Sequence, residues 1–363
     1  MSSQTTAAPA HRRIAFLDVL RSLAILLVMA HHYRHMPGTP AWAKWFGLRG
    51  YLGVDVFFVL SGWLIGGQLL KEYKKTGSIR LGRFWARRWL RTLPLYYVVL
   101  AFHLYTHPKA VSHTLEMVFF LQNYTAPHAW LLSWSLCIEE HFYMVLPLLL
   151  LLGGLVGKRS RTALIVVFVG LVLASPVLRW MAMEQVAKAR YNSFLGDYYV
   201  PTHLRFDGLI VGVGLAYLKV YWSGFQAWVK RFATPLLVVG FAFFAAALFP
   251  DWTGHTAKGV ERQTVFNYVL QFPLVYVAVA AWIASGVGFV ERGRQPGIPG
   301  ATWLAEHAYA LYLIHWMASH WIARSVSFPS SFFLAGALSC ALAALLRQLI
   351  ELPGLKLRDR WTP

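Results

Sequence analysis

Three ionisable residues stand inside the first long apolar run of this 363-residue chain: Asp18, Arg21 and His32. A charge in a membrane-length apolar segment is costly, so it faces a partner, the bundle interior or a water-filled path. Asp18 and Arg21 are three apart, share a helix face and can pair. From Arg21 to His32 is eleven positions. At about 100° per residue the two side chains point the same way, about 16 Å apart along the axis. A neutral His is suited to take a proton at cellular pH. An Arg can bind phosphate or stabilise developing negative charge. A structural ion pair with a His at the membrane interface would account for the same residues without chemistry.

Other polar groups extend this set. In Trp134-Ser135-Leu136-Cys137-Ile138-Glu139-Glu140-His141-Phe142-Tyr143, two adjacent carboxylates sit at the lip of an apolar run. They lie about 100° apart on a helix. One of them therefore faces inward, and Glu140, on the face of Tyr143, has the better claim. Helix capping is the alternative use, and Pro147 could kink the helix. The segment Gly50–Ile65 holds Asp55 and Ser61 among glycines that permit close helix approach. Ser61-Gly62 could mark a bend. As a nucleophile Ser61 would need a base, and packing is the preferred reading. Arg83, Arg87, Arg88 and Arg91 fall largely on one face. They suit either an anchor for anionic lipid or a clamp for the phosphates of a cytosolic co-substrate. Arg205 precedes Asp207 at a span mouth, and Tyr309, Tyr312 and His315 could form one polar stripe or make ordinary interhelical hydrogen bonds. Cys137 and Cys340 read as buried thiols. No motif calls for a metal.

The elements that must carry these groups follow from composition. Hydrophobic residues make up 57% and charged residues 13%, against about 25% charged in soluble domains. That excludes a disordered chain and argues against a soluble core. A helix needs roughly 20 apolar residues to cross a bilayer. Ten stretches are predicted to do so: Ile14–His32, Val54–Leu70, Leu93–Leu104, Cys137–Leu155, Thr162–Met181, Phe206–Val220, Thr234–Phe249, Phe266–Val287, Trp303–Ile322 and Phe328–Ile350. Thr114–Phe120 is too short to span. The fold expected is an all-α, polytopic transmembrane helix bundle. A cytoplasmic N-terminal tail covers 1–13, the membrane domain 14–350 and a cytoplasmic C-terminal tail 351–363. With both termini cytoplasmic, inner connections hold about twice as many Lys and Arg as outer ones. This explains a net charge of +19 without nucleic acid. The first apolar stretch ends in His31-His32-Tyr33-Arg34 with no cleavage site, so a retained helix is expected.

The wording of several segments resembles the membrane-bound acyltransferase 3 family. Leu17-Asp18-Val19-Leu20-Arg21-Ser22 followed by His32 resembles its start, and Gly53–Ile65 its second span. Arg83-Phe84…Arg88…Arg91-Thr92-Leu93-Pro94-Leu95-Tyr96-Tyr97 is similar to its basic block. Trp134–Tyr143 with Pro147 resembles its fourth-span signature, and Tyr309–His315 its Tyr-x-Leu-Tyr-Leu-x-His pattern. The motifs occur in family order. Trp63 stands where Phe is commoner, and Ala308 where Ser often precedes the late Tyr.

The resemblance implies about ten spans in a bacterial inner (plasma) membrane. It implies transfer of an acyl group, most often acetyl, from cytoplasmic acyl-CoA to a hydroxyl of a carbohydrate or lipid-linked glycan. The family's Arg and His separated by ten residues fall on Arg21 and His32. His32 would take the acceptor proton, and Glu140 would orient His32 or hold the acceptor. Arg83, Arg87, Arg88 and Arg91 would meet the donor phosphates. Direct transfer and an acyl-His relay are both allowed. Acyl-CoA is then a co-substrate, with no tightly bound cofactor and no metal. Membrane lipid is a further partner, and homo-oligomerisation stays open. Asp18, Asp55, Ser61, Glu139, Tyr143, Arg205, Tyr309, Tyr312 and His315 are the further polar-pathway candidates. The rival function is a secondary transporter or flippase of a glycan or lipid, in which the same buried charges form a coupling path.

Overall fold

A computed structural model describes residues 13–155, 158–188, 198–248 and 269–362. Of the expected N-terminal tail only Arg13 is among them. Phe249, residues 266–268 and the outer basic residues Arg190, Lys258 and Arg262 also lie outside the described residues. All regular structure among the described residues is helical. The first helices are α1 (Ala15–Tyr33), the short α2 (Ala41–Leu48), α3 (Leu52–Thr76) and α4 (Leu81–Thr106). Two short helices follow, α5 (Thr114–Val118) and α6 (Gln122–Thr125), so the stretch judged too short to span is indeed broken up. Then come α7 (Trp134–Leu155), α8 (Lys158–Lys188), α9 (Asp207–Tyr221), α10 (Phe225–Leu248), α11 (Gln271–Glu291), α12 (Ala301–Ala323), α13 (Ser330–Leu346) and α14 (Leu352–Trp361).

Each of the ten expected stretches falls on a long helix of this series. Among the described residues seven helical stretches are long and apolar enough to cross a membrane, and the chain is a multi-pass membrane protein. The other three expected spans differ for identifiable reasons. α4 opens on its four arginines. α9 has 15 residues, about 22 Å of helix. α12 carries Glu306, His307, His315 and His320 along its length. The last apolar stretch passes through a π-helical turn at Arg347–Glu351 into α14. The segment expected as a C-terminal tail is therefore a helix, and it packs on α4.

Helix pairs α3–α9, α10–α11, α1–α12 and α12–α13 form the body of the bundle. Ser61-Gly62 does not interrupt α3, which runs unbroken for 25 residues. Gly62 serves contact instead. A Cβ there would meet the Leu209 carbonyl oxygen at 1.9 Å, and one on Gly212 would meet that of Val59 at 2.2 Å. Missing side chains let the two backbones touch.

Beneath this seam lie two buried ion pairs. Arg205 reaches Asp55 at 2.8 Å and Arg179 reaches Asp207 at 2.8 Å, with all four side chains 0–1% exposed. The Tyr276 hydroxyl donates to Asp55 (3.2 Å), and the Arg205 guanidinium lies 4.0 Å from the Phe272 ring centroid. These contacts tie α3, α8, α9 and α11 together. Arg205 and Asp55 thus serve each other here rather than an open mouth.

Candidate active site

The face of α1 turned to α12 carries the polar stripe. Asp18 is buried and accepts from Arg21 Nη1 at 3.1 Å, as their spacing predicts. It also accepts from Arg13 Nε at 2.6 Å. The Ser22 hydroxyl bonds both the Asp18 carbonyl and the Ala301 carbonyl, fixing α1 against the start of α12. Arg13 continues to Glu306, which Arg347 holds from the other side. Asp18 is therefore a structural anchor that holds one edge of the Arg21 guanidinium.

Three turns further along α1, His32 meets His315 of α12. His315 Nε2 and His32 Nδ1 are 3.0 Å apart. Hydrogen-bond partners assign the protons. The Leu311 carbonyl can only accept, so His315 Nδ1 carries a proton and donates to it (2.9 Å). A neutral His315 then presents a lone pair at Nε2. His32 Nδ1 must supply the proton to this contact, and it also points at the Val28 carbonyl (3.0 Å). His32 Nε2 is left with its lone pair and with no hydrogen-bond partner among the described residues. Trp316 packs edge-on against the same ring, with centroids 5.0 Å apart. Neighbouring His31 turns to the Gly47 carbonyl instead, so the two adjacent histidines have separate tasks.

The basic block divides as well. Arg87 is engaged by the end of the chain: its Nη1 donates to the Thr362 carbonyl (2.6 Å), and its Nη2 lies 3.5 Å from Asp359. Arg83 and Arg88 each keep a buried Nε without a partner, and Arg88 lies 4.4 Å from the Tyr143 ring centroid. Arg91 is within electrostatic reach of Arg88, Arg21, Tyr143 and Glu351. Among the described residues no carboxylate forms an ion pair with Arg83, Arg88 or Arg91. Glu139 and Glu140 lie near Arg88 but bond elsewhere. Tyr143 donates to Glu139 at 2.6 Å, and Thr92 to Glu140 at 3.2 Å. Unpaired guanidiniums grouped this way make an anion site.

Several expected residues take supporting places. Tyr143 bonds Glu139, one helical turn before it, rather than Glu140. Its proton is spent there, so the Ser61 hydroxyl donates to the Tyr143 oxygen (2.6 Å), which links it to the same carboxylate. Tyr309 donates to the Thr92 carbonyl (2.8 Å) and Tyr312 to the Leu132 carbonyl (2.8 Å). Both are ordinary ties between elements, and of the stripe on α12 only His315 reaches the His32 group. Glu140 is buried and held by Thr92, while the partner that orients His32 is His315. Sequence reasoning passed over Arg179. Its signal was its position inside the apolar limits of Thr162–Met181, where a charge demands a partner.

The multi-pass helical bundle thus holds a hydrogen-bonded His pair and, apart from it, three arginines without ion-pair partners among the described residues. The chain belongs to the acyltransferase 3 family: residues 14–348 match the family's acyltransferase domain. It is 31% identical over 223 residues to the peptidoglycan O-acetyltransferase OatA of Listeria monocytogenes, covering 56% of this chain and 33% of that protein. It is 27% identical over 336 residues to the O-acetyltransferase OatA of Staphylococcus aureus, covering 84% of this chain and 50% of that one. The chain thus spans half or less of the length of these relatives. No solved structure matches it. The matched model is of an acyltransferase domain, not of a transporter.

Proposed function

We propose that the protein is an O-acyltransferase of the bacterial inner (plasma) membrane. It moves an acetyl group from cytoplasmic acetyl-CoA to a hydroxyl of an extracytoplasmic glycan. The relatives named for peptidoglycan favour a cell-wall glycan as acceptor. The observation that carries this reading is the His32–His315 contact, which leaves His32 Nε2 as an oriented base.

In the reaction, His32 Nε2 takes the proton of the acceptor hydroxyl as its oxygen bonds to the thioester carbonyl carbon. The tetrahedral intermediate collapses, the C–S bond breaks, and the thiolate of CoA leaves with the proton returned from His32. His315 accepts from His32 Nδ1 throughout and keeps the ring in one tautomer. Arg21, about 16 Å along α1 from His32 and within electrostatic reach of Arg88 and Arg91, adds its charge to the donor-phosphate site. Arg83, Arg88 and Arg91 hold the donor phosphates, and Arg87 keeps α14 on α4. Glu140 binds acceptor hydroxyls. Ten crossings with both termini cytoplasmic put the arginine block on the donor side, in line with the charge bias of the connections.

Mass spectrometry of cell-wall glycans from deletion and complemented cells tests this. Loss of acetyl groups in the deletion, restored by the intact gene and not by a His32→Ala version, is the expected result. Unchanged glycan acetylation across all three strains would defeat it.

A further inference from the structure

The geometry points to a bound anionic glycerophospholipid between α3, α7, α8 and α9, a site separate from the histidine and arginine groups. A cavity of about 510 Å³ lies there. Its depth is walled by Leu70, Leu150, Phe168, Val172, Ile210 and Val213. No hydrogen-bonding side chain reaches this part, so water filling it would go unsatisfied. The α8 and α9 sides of the wall include Ile165, Val169, Leu173 and Leu218, which are themselves exposed large apolar residues. In a membrane such surface faces lipid, so the cavity is open to acyl chains from the side.

Polarity enters only at one end. Tyr73, Tyr217 and Tyr221 complete the wall there, in the last turns of α3 and α9. Lys74 sits at this rim: its Nζ donates to the Val220 carbonyl at 2.5 Å and lies 5.4 Å from the Tyr221 ring centroid. Lys71 is exposed one turn earlier, and Lys219 lies over Trp63 with Nζ 5.1 Å from the ring. Of the nearby carboxylates, Glu72 is taken by Arg80 (3.3 Å), while Glu291 acts on Lys219 from α11. The sequence runs apolar depth, phenolic rim, amine mouth. That order matches an acyl chain, an ester region and a phosphate headgroup. The positive mouth selects an anionic headgroup over a zwitterionic one.

Gly214 offers a direct test, because it lines the cavity and a Cβ there would meet nothing within 4 Å. The protein would be reconstituted in nanodiscs of equal phosphatidylglycerol and phosphatidylcholine, released into mild detergent, and read by native mass spectrometry. Wild type should retain one phosphatidylglycerol, enriched about fivefold for each lysine engaged. Gly214→Leu should lose it while keeping the wild-type melting profile, and Val169→Trp, filling from α8, should do the same. Lys74→Glu should keep a lipid but lose the preference. Equal retention of both lipids by wild type would overturn the proposal. So would undiminished binding in either filled variant, or a polyprenyl phosphate as the lipid carried from the cell membrane.

Discussion

His315 accepts a hydrogen bond from His32 across the α1–α12 contact, 283 positions away in sequence, with their nitrogens 3.0 Å apart. Together with the Val28 carbonyl, 3.0 Å from the same nitrogen, that contact keeps the proton on Nδ1 and leaves Nε2 with its lone pair. It also separates His315, which touches the His32 ring, from Tyr309 and Tyr312, which only tie helices together.

Removing the proposed base should cost turnover and spare binding. His32→Ala in purified protein is expected to lower kcat by about 10²–10⁴-fold, with the KM for acetyl-CoA little changed. A steady-state assay of thiol release with a glycan acceptor reads both numbers. Near-normal kcat would remove His32 from the chemistry.

His315 acts through another residue, so its variants should rank by hydrogen-bonding ability. His315→Gln retains an acceptor on a side chain of similar reach and should keep activity within about tenfold of wild type. His315→Leu, similar in bulk but without an acceptor, leaves only the Val28 carbonyl on His32 Nδ1 and should lose clearly more kcat than His315→Gln. Equal activity of the two variants would mean that His315 only fills space.

The basic block should split in function as it does in structure. Arg88→Ala or Arg91→Ala is expected to raise the KM for acetyl-CoA by about tenfold, one charge-assisted contact being worth roughly 1.5–3 kcal/mol, with the acceptor KM unmoved. Arg87→Ala should instead loosen α14, read as faster amide exchange in Leu352–Trp361. Equal donor and acceptor effects for Arg88 would count against a phosphate clamp.

Breaking one of the buried ion pairs should be expensive. Arg205→Leu strands Asp55 in an apolar setting and is expected to cost about 3–5 kcal/mol. Asp55→Leu combined with Arg205→Leu should recover a large part of it. Thermal unfolding in detergent compares the single and double variants. A single variant as stable as wild type would show that the pair carries no structural weight.

What could be read from sequence was what lies within one helix. The three-residue spacing of Asp18 and Arg21 sufficed to predict their ion pair, and apolar length located each long helix. Pairings between helices were not legible. Periodicity says which face His32 occupies but not which of ten helices it meets. Sequence leaves Glu140 either orienting His32 or holding the acceptor, and the bundle sets His315 beside the His32 ring instead. Arg87 shows the same limit. It shares its face with Arg83 and Arg91 in sequence, and only the return of α14 sets it apart. Arg83, Arg88 and Arg91 could be grouped in advance because a single helix carries them all.

The glycine seam between Gly62 and Gly212 has a mechanical corollary. Two helices whose main chains touch, pinned below by Asp55 and Arg205, move as one slab. Movement is then left to contacts such as that of α4 with α12, which meet through the Tyr309 side chain.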